Sequence, residues 1–171
     1  LLYGMSFIYG ITGSVNIADI AHYLANKNLA HSNLVLIAMV LMLTTAAFKL
    51  GVAPFHMWVP DVYEGAPSSV TLFIASAPKL AAFVLAVRLM VEALPGLDAQ
   101  WESLLIVVAI ASMALGNLVA IAQDNIKRML AYSSIAHFGY MLLGLLAGTA
   151  DGYASAMFYM ISYTLMTTGA F

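Results

Sequence analysis

The sequence predicts an all-α polytopic membrane protein, a bundle of transmembrane helices, and three observations point there. The 171 residues are 63% hydrophobic and 8% charged, with a mean hydropathy of +0.95. Soluble domains are roughly 45–50% apolar and about 25% charged. Long apolar runs recur, among them 32–48, 103–122 and 70–87, the last interrupted by a single lysine. A spanning helix needs about 20 such residues. The short alternating pattern of a membrane barrel is absent.

The remaining composition narrows the function classes. Net charge is −2, with no basic cluster, so nucleic acid is excluded as an expected partner. There is no cysteine, which excludes disulfides and thiolate-held metal clusters within this chain. Redox cofactors, if any take part, are expected elsewhere. The chain opens on Leu1-Leu2-Tyr3, not on Met with a charged flank, so no signal peptide is expected in it. It stops inside an uncharged run. The expectation is a single transmembrane domain, an internal piece of a longer membrane protein cut within a helix at each end.

Residues 1–12 read as the tail of a span. A polar stretch follows, with Ser14, Asn16, Asp19, His22, Asn26, Lys27, Asn28, His31 and Asn33. Its apolar residues Ile17, Ile20, Ala21 and Leu24 recur at helical spacing, which predicts a short amphipathic helix lying in the interface. The second span is predicted over about 34–58, broken at Gly51 and Pro54, and ended by the turn-rich stretch 60–67. The third runs over about 69–94 and carries Pro78-Lys79. Leu94-Pro95-Gly96-Leu97-Asp98 is a predicted loop. The fourth covers 103–122, the fifth about 126–146, and a sixth, truncated span 152–171. The loop at 123–128 holds two of the six basic residues, and a positive-inside count makes that side cytoplasmic. Lys27 and Arg88 count against it.

Two lysines stand where apolar residues are expected. Lys49 ends the uncharged run 32–48, and Lys79 lies near the middle of its span. An ammonium near a bilayer centre costs a few kcal/mol, about 2.5–3.5 on insertion scales. Such groups are kept where they face a protein interior or a water-filled path. Burial disfavours the charged form of an amine, which opens proton exchange near neutral pH to a buried lysine. Two such lysines repel, so loading one helps to unload the other. Pro54 has no N–H for the Leu50 carbonyl, and Pro78 has none for that of Ile74. Each break leaves free carbonyls within about a turn of an ammonium, as transporters arrange at half-helix ends. The bland alternative is a bent helix with a snorkelling lysine, which the depth of both positions disfavours.

Other candidates are weaker. His137 titrates near neutrality and suits a relay, with a hydrogen-bonded interhelical histidine as the equal alternative. His56, in the bend between Pro54 and Pro60, reads first as a structural hydrogen-bonder and second as a relay member. Ser134, Ser133 and Tyr132 have a water path or simple helix contact open to them. Asp61, Glu64, Asp124, Lys127 and Arg128 read as loop or helix-end charges, and His22, His31 and Asp19 as interface residues. No metal-ligand spacing, nucleophile with a paired base, or phosphate-cradling glycine loop occurs.

Two long blocks carry a resemblance. The first is Phe48-Lys49-Leu50-Gly51-Val52-Ala53-Pro54-Phe55-His56-Met57-Trp58-Val59-Pro60-Asp61-Val62-Tyr63-Glu64-Gly65-Ala66-Pro67. The second is Gly116-Asn117-Leu118, then Asn125-Ile126-Lys127-Arg128-Met129-Leu130-Ala131-Tyr132-Ser133-Ser134-Ile135-Ala136-His137-Phe138-Gly139-Tyr140. In order, and over essentially the whole chain, the sequence resembles the N-subunit family of bacterial NADH–quinone oxidoreductase (respiratory complex I). Subunit 2 is the mitochondrial and plastid counterpart. The resemblance implies an antiporter-like fold of inverted repeats, each with a discontinuous helix. It makes Lys49 a central proton-translocating lysine on the broken seventh span. It makes Lys79, on the eighth, the link toward a second half-channel. A fifth-span glutamate and a twelfth-span lysine of the family lie outside this chain, so the fragment holds no complete proton path. Ser69 replaces a proline common in the family, and Pro78 replaces a small polar residue before the lysine, which changes the local helix geometry.

The implied function is proton translocation coupled to NADH-to-quinone electron transfer in other subunits. NADH, FMN, iron–sulfur clusters and quinone are expected in those subunits and none in this chain. The implied partners are antiporter-like neighbours, small helical membrane subunits and lipid. The bacterial inner membrane comes first as location, ahead of the mitochondrial inner or thylakoid membrane. Two rivals remain. One is a cation/proton antiporter subunit of the same fold. The other is a non-pumping structural subunit whose lysines only pair with helices outside the chain.

Overall fold

The computed structural model describes residues 1–27, 32–94 and 97–171, the side chain of Lys27 excepted. His31, Asn28 and the Pro95-Gly96 step of the expected loop lie outside the described residues. The described elements are all helical: α1 Leu2–Thr12, α2 Ile17–Lys27, α3 Asn33–Leu50, α4 Trp58–Gly65, α5 Ser68–Ala75, α6 Ala77–Val87, a π-helical turn Arg88–Ala93, α7 Asp98–Ile121, α8 Ile126–Leu146 and α9 Ala150–Ala170. Four stretches are long and apolar enough to cross a membrane: Asn33–Leu50, Ser68–Ala93, Asp98–Ile121 and Ile126–Leu146. The chain divides into two compact units, 1–46 with 83–104, and 47–82 with 105–171.

In the first unit, α1 ends at Gly13, whose φ of 71° is the left-handed C-cap that glycine adopts most readily. The expected amphipathic helix is present as α2. Asp19 accepts from the Ser14 hydroxyl, and His22 bonds Asn26 one turn on. Ile8, Ile20, Leu24, Val35, Met39, Met42 and Trp101 are buried there. A Cβ on Gly4 would lie 3.0 Å from the Ala38 carbonyl oxygen, so α1 and α3 approach at backbone distance.

The second unit holds the predicted break. α3 stops at Leu50, and Gly51 turns the chain with a φ of 76°. The expected turn over 60–67 is instead the helix α4, running to Gly65. Pro60 falls in its first turn, where the missing N–H has no intrahelical partner to lose. In the third span the break falls at Ser76, two residues before Pro78. The Ser76 hydroxyl donates to the Leu72 carbonyl at 2.7 Å, covering an acceptor that the break exposes. α7 begins at Asp98, five residues before the expected start, with its carboxylate in the first turn where the helix dipole favours it. α9 begins at Ala150 because Thr149 caps the Gly152 N–H. α8 matches its expected bounds, and Asn125 caps it by accepting from Lys127 N–H.

Small residues let these helices approach closely, as membrane interfaces require. A Cβ on Gly116 of α7 would meet the Ala136 nitrogen of α8 at 2.6 Å, and one on Gly139 would meet the Ala109 carbonyl oxygen at 3.0 Å. Gly144 of α8 packs in the same way on Gly152 and Ala156 of α9. Val59, Tyr63, Ala75 and Ala131 form a buried cluster that joins α4, α5 and α8.

Candidate functional site

The break between α3 and α4 leaves backbone groups that a bilayer cannot satisfy, so the protein must. Ala53 N–H donates to the Ser112 hydroxyl of α7 at 2.9 Å, and Ser112 in turn donates to the Val108 carbonyl at 2.6 Å. Trp58 Nε1–H reaches back across the break to the Phe48 carbonyl at 2.9 Å. The Phe48 and Trp58 rings also meet, with centroids 5.7 Å apart. Gly51 has no room for a side chain, since a Cβ there would sit 2.5 Å from Val59 Cγ2. Pro54 lies within this crossing. His56 is buried but its Nδ1 has no hydrogen-bond partner among the described residues. The expected structural hydrogen bond from that nitrogen is therefore not found. Its ring instead lies 6.4 Å from that of Tyr132.

Lys49 is exposed at the end of α3. Among the described residues it has no ion pair or hydrogen bond. With Phe48, Trp58 and Pro78 it lines a cavity of about 300 Å³, so the two broken spans meet beside its side chain.

Lys79 has the opposite setting. It is 1% exposed, the largest buried polar side chain of the described residues. Its Nζ donates to Ser134 Oγ at 3.0 Å. The Tyr63 and Phe138 ring centroids lie 5.1 and 4.9 Å from the ammonium, within cation–π range. No carboxylate pairs with it among the described residues. Ser134 itself donates to the Ala131 carbonyl at 2.8 Å, so its lone pair is turned toward the lysine. Pro78, in the first turn of α6, places Lys79 just past the Ser76 break.

The site continues along α8 and α9. His137 Nδ1 lies 2.7 Å from the Tyr159 hydroxyl, and the Tyr140, Tyr159 and Tyr163 rings surround the imidazole at 5.3–6.2 Å. Tyr163 stacks edge-on against Phe138 at 5.6 Å. Ser133, His137, Tyr163 and Thr167 share a smaller cavity of about 140 Å³. Lys79 with Ser134, and His137 with Tyr159 and Tyr163, thus form two polar groups on either side of the Phe138 ring, which meets both Lys79 and Tyr163. The sequence reading singled out Lys79, Ser134 and His137 but missed Tyr63, Ser112, Tyr159 and Tyr163. Ser112 alone left a trace, as a lone hydroxyl in an otherwise apolar part of its span.

The charges first read as helix-end decoration also come together. Arg128 Nη1 lies 2.8 Å from both Asp61 Oδ1 and Glu64 Oε2. Asn125 Nδ2–H donates to Glu64 at 3.0 Å, and Lys127 Nζ donates to the Ala66 carbonyl at 2.9 Å.

The arrangement of helices is that of an antiporter-like membrane protein. The family profile described as "NADH:quinone oxidoreductase/Mrp antiporter, TM" matches residues 1–171, and the chain belongs to that family. NADH-quinone oxidoreductase subunit N of Coxiella burnetii is 61% identical over all of this chain and 36% of its own length. The chain thus spans about a third of the curated relatives it matches. The respiratory complex I of Thermus thermophilus with bound Aureothin contains a chain 40% identical, at a TM-score of 0.76 over 98% of this chain and 34% of that one. The Mrp complex from Dietzia sp. DQ12-45-1b contains one 27% identical, at a TM-score of 0.86 over 98% of this chain and 30% of its own.

Proposed function

We propose that the chain is part of the proton-translocating N subunit of a bacterial NADH–quinone oxidoreductase, held in the inner membrane. Lys79 is the observation that carries this reading. An ammonium buried with one neutral hydroxyl and two aromatic faces is expensive to keep charged. Such a cost is tolerated where gaining and losing the proton is the task. Lys49 lies at the other side of Pro78, facing a cavity that can admit water or the amine itself. His137, hydrogen-bonded to Tyr159 and packed on Tyr163, adds a second titratable group beyond the Phe138 ring. Pro54 and Pro78 shape the half-helices, and His56 lines the crossing. Electron transfer, with NADH, FMN, iron–sulfur clusters and quinone, belongs to other subunits of the assembly, and the enzyme label belongs there too. The partners are its antiporter-like and small helical membrane subunits, together with lipid.

The antiporter reading shares the fold, since the Mrp neighbour has the higher TM-score, 0.86 against 0.76. The sequence favours subunit N, at 61% identity against 27% for the Mrp chain. The test is NADH-driven proton pumping by vesicles carrying the full-length protein with Lys49→Ala, normalised to assembled complex. Pumping per NADH is expected to fall severalfold. An unchanged ratio in an assembled complex makes the lysine structural and the subunit a spacer.

A further inference from the structure

α4 is eight residues long, too short to be stable by itself. It follows the non-helical crossing and ends at Ala66-Pro67, so its placement depends on what it packs against. Yet it carries Tyr63, fully buried, whose ring is one of the two faces against the Lys79 ammonium. Two things hold it to α8. One is the apolar contact of Val59 and Tyr63 with Ala131. The other is polar and lies in the turn that opens α8. Arg128 takes Asp61 and Glu64, Asn125 takes Glu64, and Lys127 takes the carbonyl of Ala66. Asp61 and Glu64 bracket Tyr63 in sequence, and Ala66 is the C-cap of the same helix.

The geometry of α8 links the clamp to the site. Lys127, Ser134 and Phe138 are seven and eleven residues apart, which at about 100° per residue puts them on one face. Lys127, which grips the end of α4, is therefore on the face that presents Ser134 and Phe138 to Lys79, and Arg128 follows it in the same first turn, about 100° round the helix.

We propose that Arg128, seconded by Lys127, is a positioning residue for the proton-carrying site. By pinning α4 to α8 through Asp61 and Glu64, it holds the Tyr63 ring against the Lys79 ammonium and so sets how firmly the lysine keeps its proton. The inference rests on the reading of Lys79 as a proton carrier. Partly exposed ion pairs contribute little energy singly, so the clamp's effect is on register more than on stability. The groups facing Lys79 are Tyr63 from α4 and Ser134 and Phe138 from α8, with Tyr163 of α9 behind the Phe138 ring. His137 is engaged by Tyr159, and no carboxylate contacts the lysine among the described residues. Arg128 does not touch the lysine, and the part of the site that its ion pairs hold directly is α4 with Tyr63.

The experiment uses the full-length protein in assembled complex, reconstituted in vesicles, with pumping per NADH followed against pH. Arg128→Gln is expected to move the alkaline limb of that profile to lower pH by about half a unit, the size of a weakened cation–π contact. Arg128→Lys is expected to restore most of the displacement. Tyr63→Leu is expected to move the limb in the same direction, and Tyr63→Phe to leave it in place. An unmoved limb in assembled Arg128→Gln overturns the proposal. Should that variant fail to assemble, Asp61→Asn with Glu64→Gln breaks the same pairs from α4, and an unmoved limb there overturns it equally. Lys79→Ala, run alongside, separates the two readings. If it leaves pumping intact, the proton-carrier reading fails; if it abolishes pumping while the clamp variants do nothing, only the positioning role fails.

Discussion

Lys79 shows why stability and function separate at a single residue. Its ammonium is buried with one hydroxyl partner at 3.0 Å and no counter-ion among the described residues. Replacing buried charges by apolar groups of like volume is often neutral or stabilising, by about 1–4 kcal/mol. Lys79→Met is therefore expected to leave the thermal stability of the purified full-length protein unchanged or raised, read by unfolding in detergent. Ser134→Ala keeps the charge and removes its partner. It is expected to lower stability by about 1–3 kcal/mol, the cost of a buried polar group left unmade. The opposite ranking of these two variants would contradict the burial argument. Lys79 was legible from sequence because a lysine inside an apolar run is conspicuous. Tyr63, Tyr159 and Tyr163 were not, because tyrosines are ordinary in membrane helices and only packing shows which of them meet a charge. Lys49 was expected within a turn of the helix break, and it lies exposed at the end of α3. The break that the sequence announced at Gly51 ends α3 one residue beyond it.

At the scale of elements, hydrophobic runs located the long helices, and α8 occupies the residues where its run lies. Two of the misjudged elements, the turn over 60–67 and the break of the third span, share one cause. Proline was read as a stop, and in α4 and α6 it is a start. Pro60 and Pro78 sit in first turns, and Ser76, with no special propensity, makes the break of the third span. The ion pairs of Arg128 with Asp61 and Glu64 span 67 and 64 positions, and no periodicity reports a contact over that separation. Two glycines offer tests at this scale. Gly51→Ala puts a side chain at a φ of 76° and 2.5 Å from Val59, where strain of about 1–3 kcal/mol is expected. The half-helices should then shift, with loss of pumping beyond any loss of protein. Gly116→Leu should separate α7 from α8, because the Ala136 nitrogen lies 2.6 Å from the added Cβ. The amount of full-length protein in membranes is expected to fall severalfold, whereas normal levels would show that the close approach is dispensable.

For the whole molecule, the antiporter-like fold was readable because two motif blocks and the apolar runs agree. Family membership follows over all 171 residues. The site extends through the second unit as groups joined by hydroxyls and aromatic faces, from the crossing beside Lys49 to Lys79 and on to His137 and Tyr159. The central claim is that Lys79 carries protons in the assembled complex. The most direct measurement is the number of protons moved per NADH oxidised by vesicles bearing the full-length protein with Lys79→Met. Rates would be matched to wild type and assembly verified. That ratio is expected to drop while the complex remains assembled. An undiminished ratio would contradict it and leave Lys79 a buried lysine with no part in proton movement.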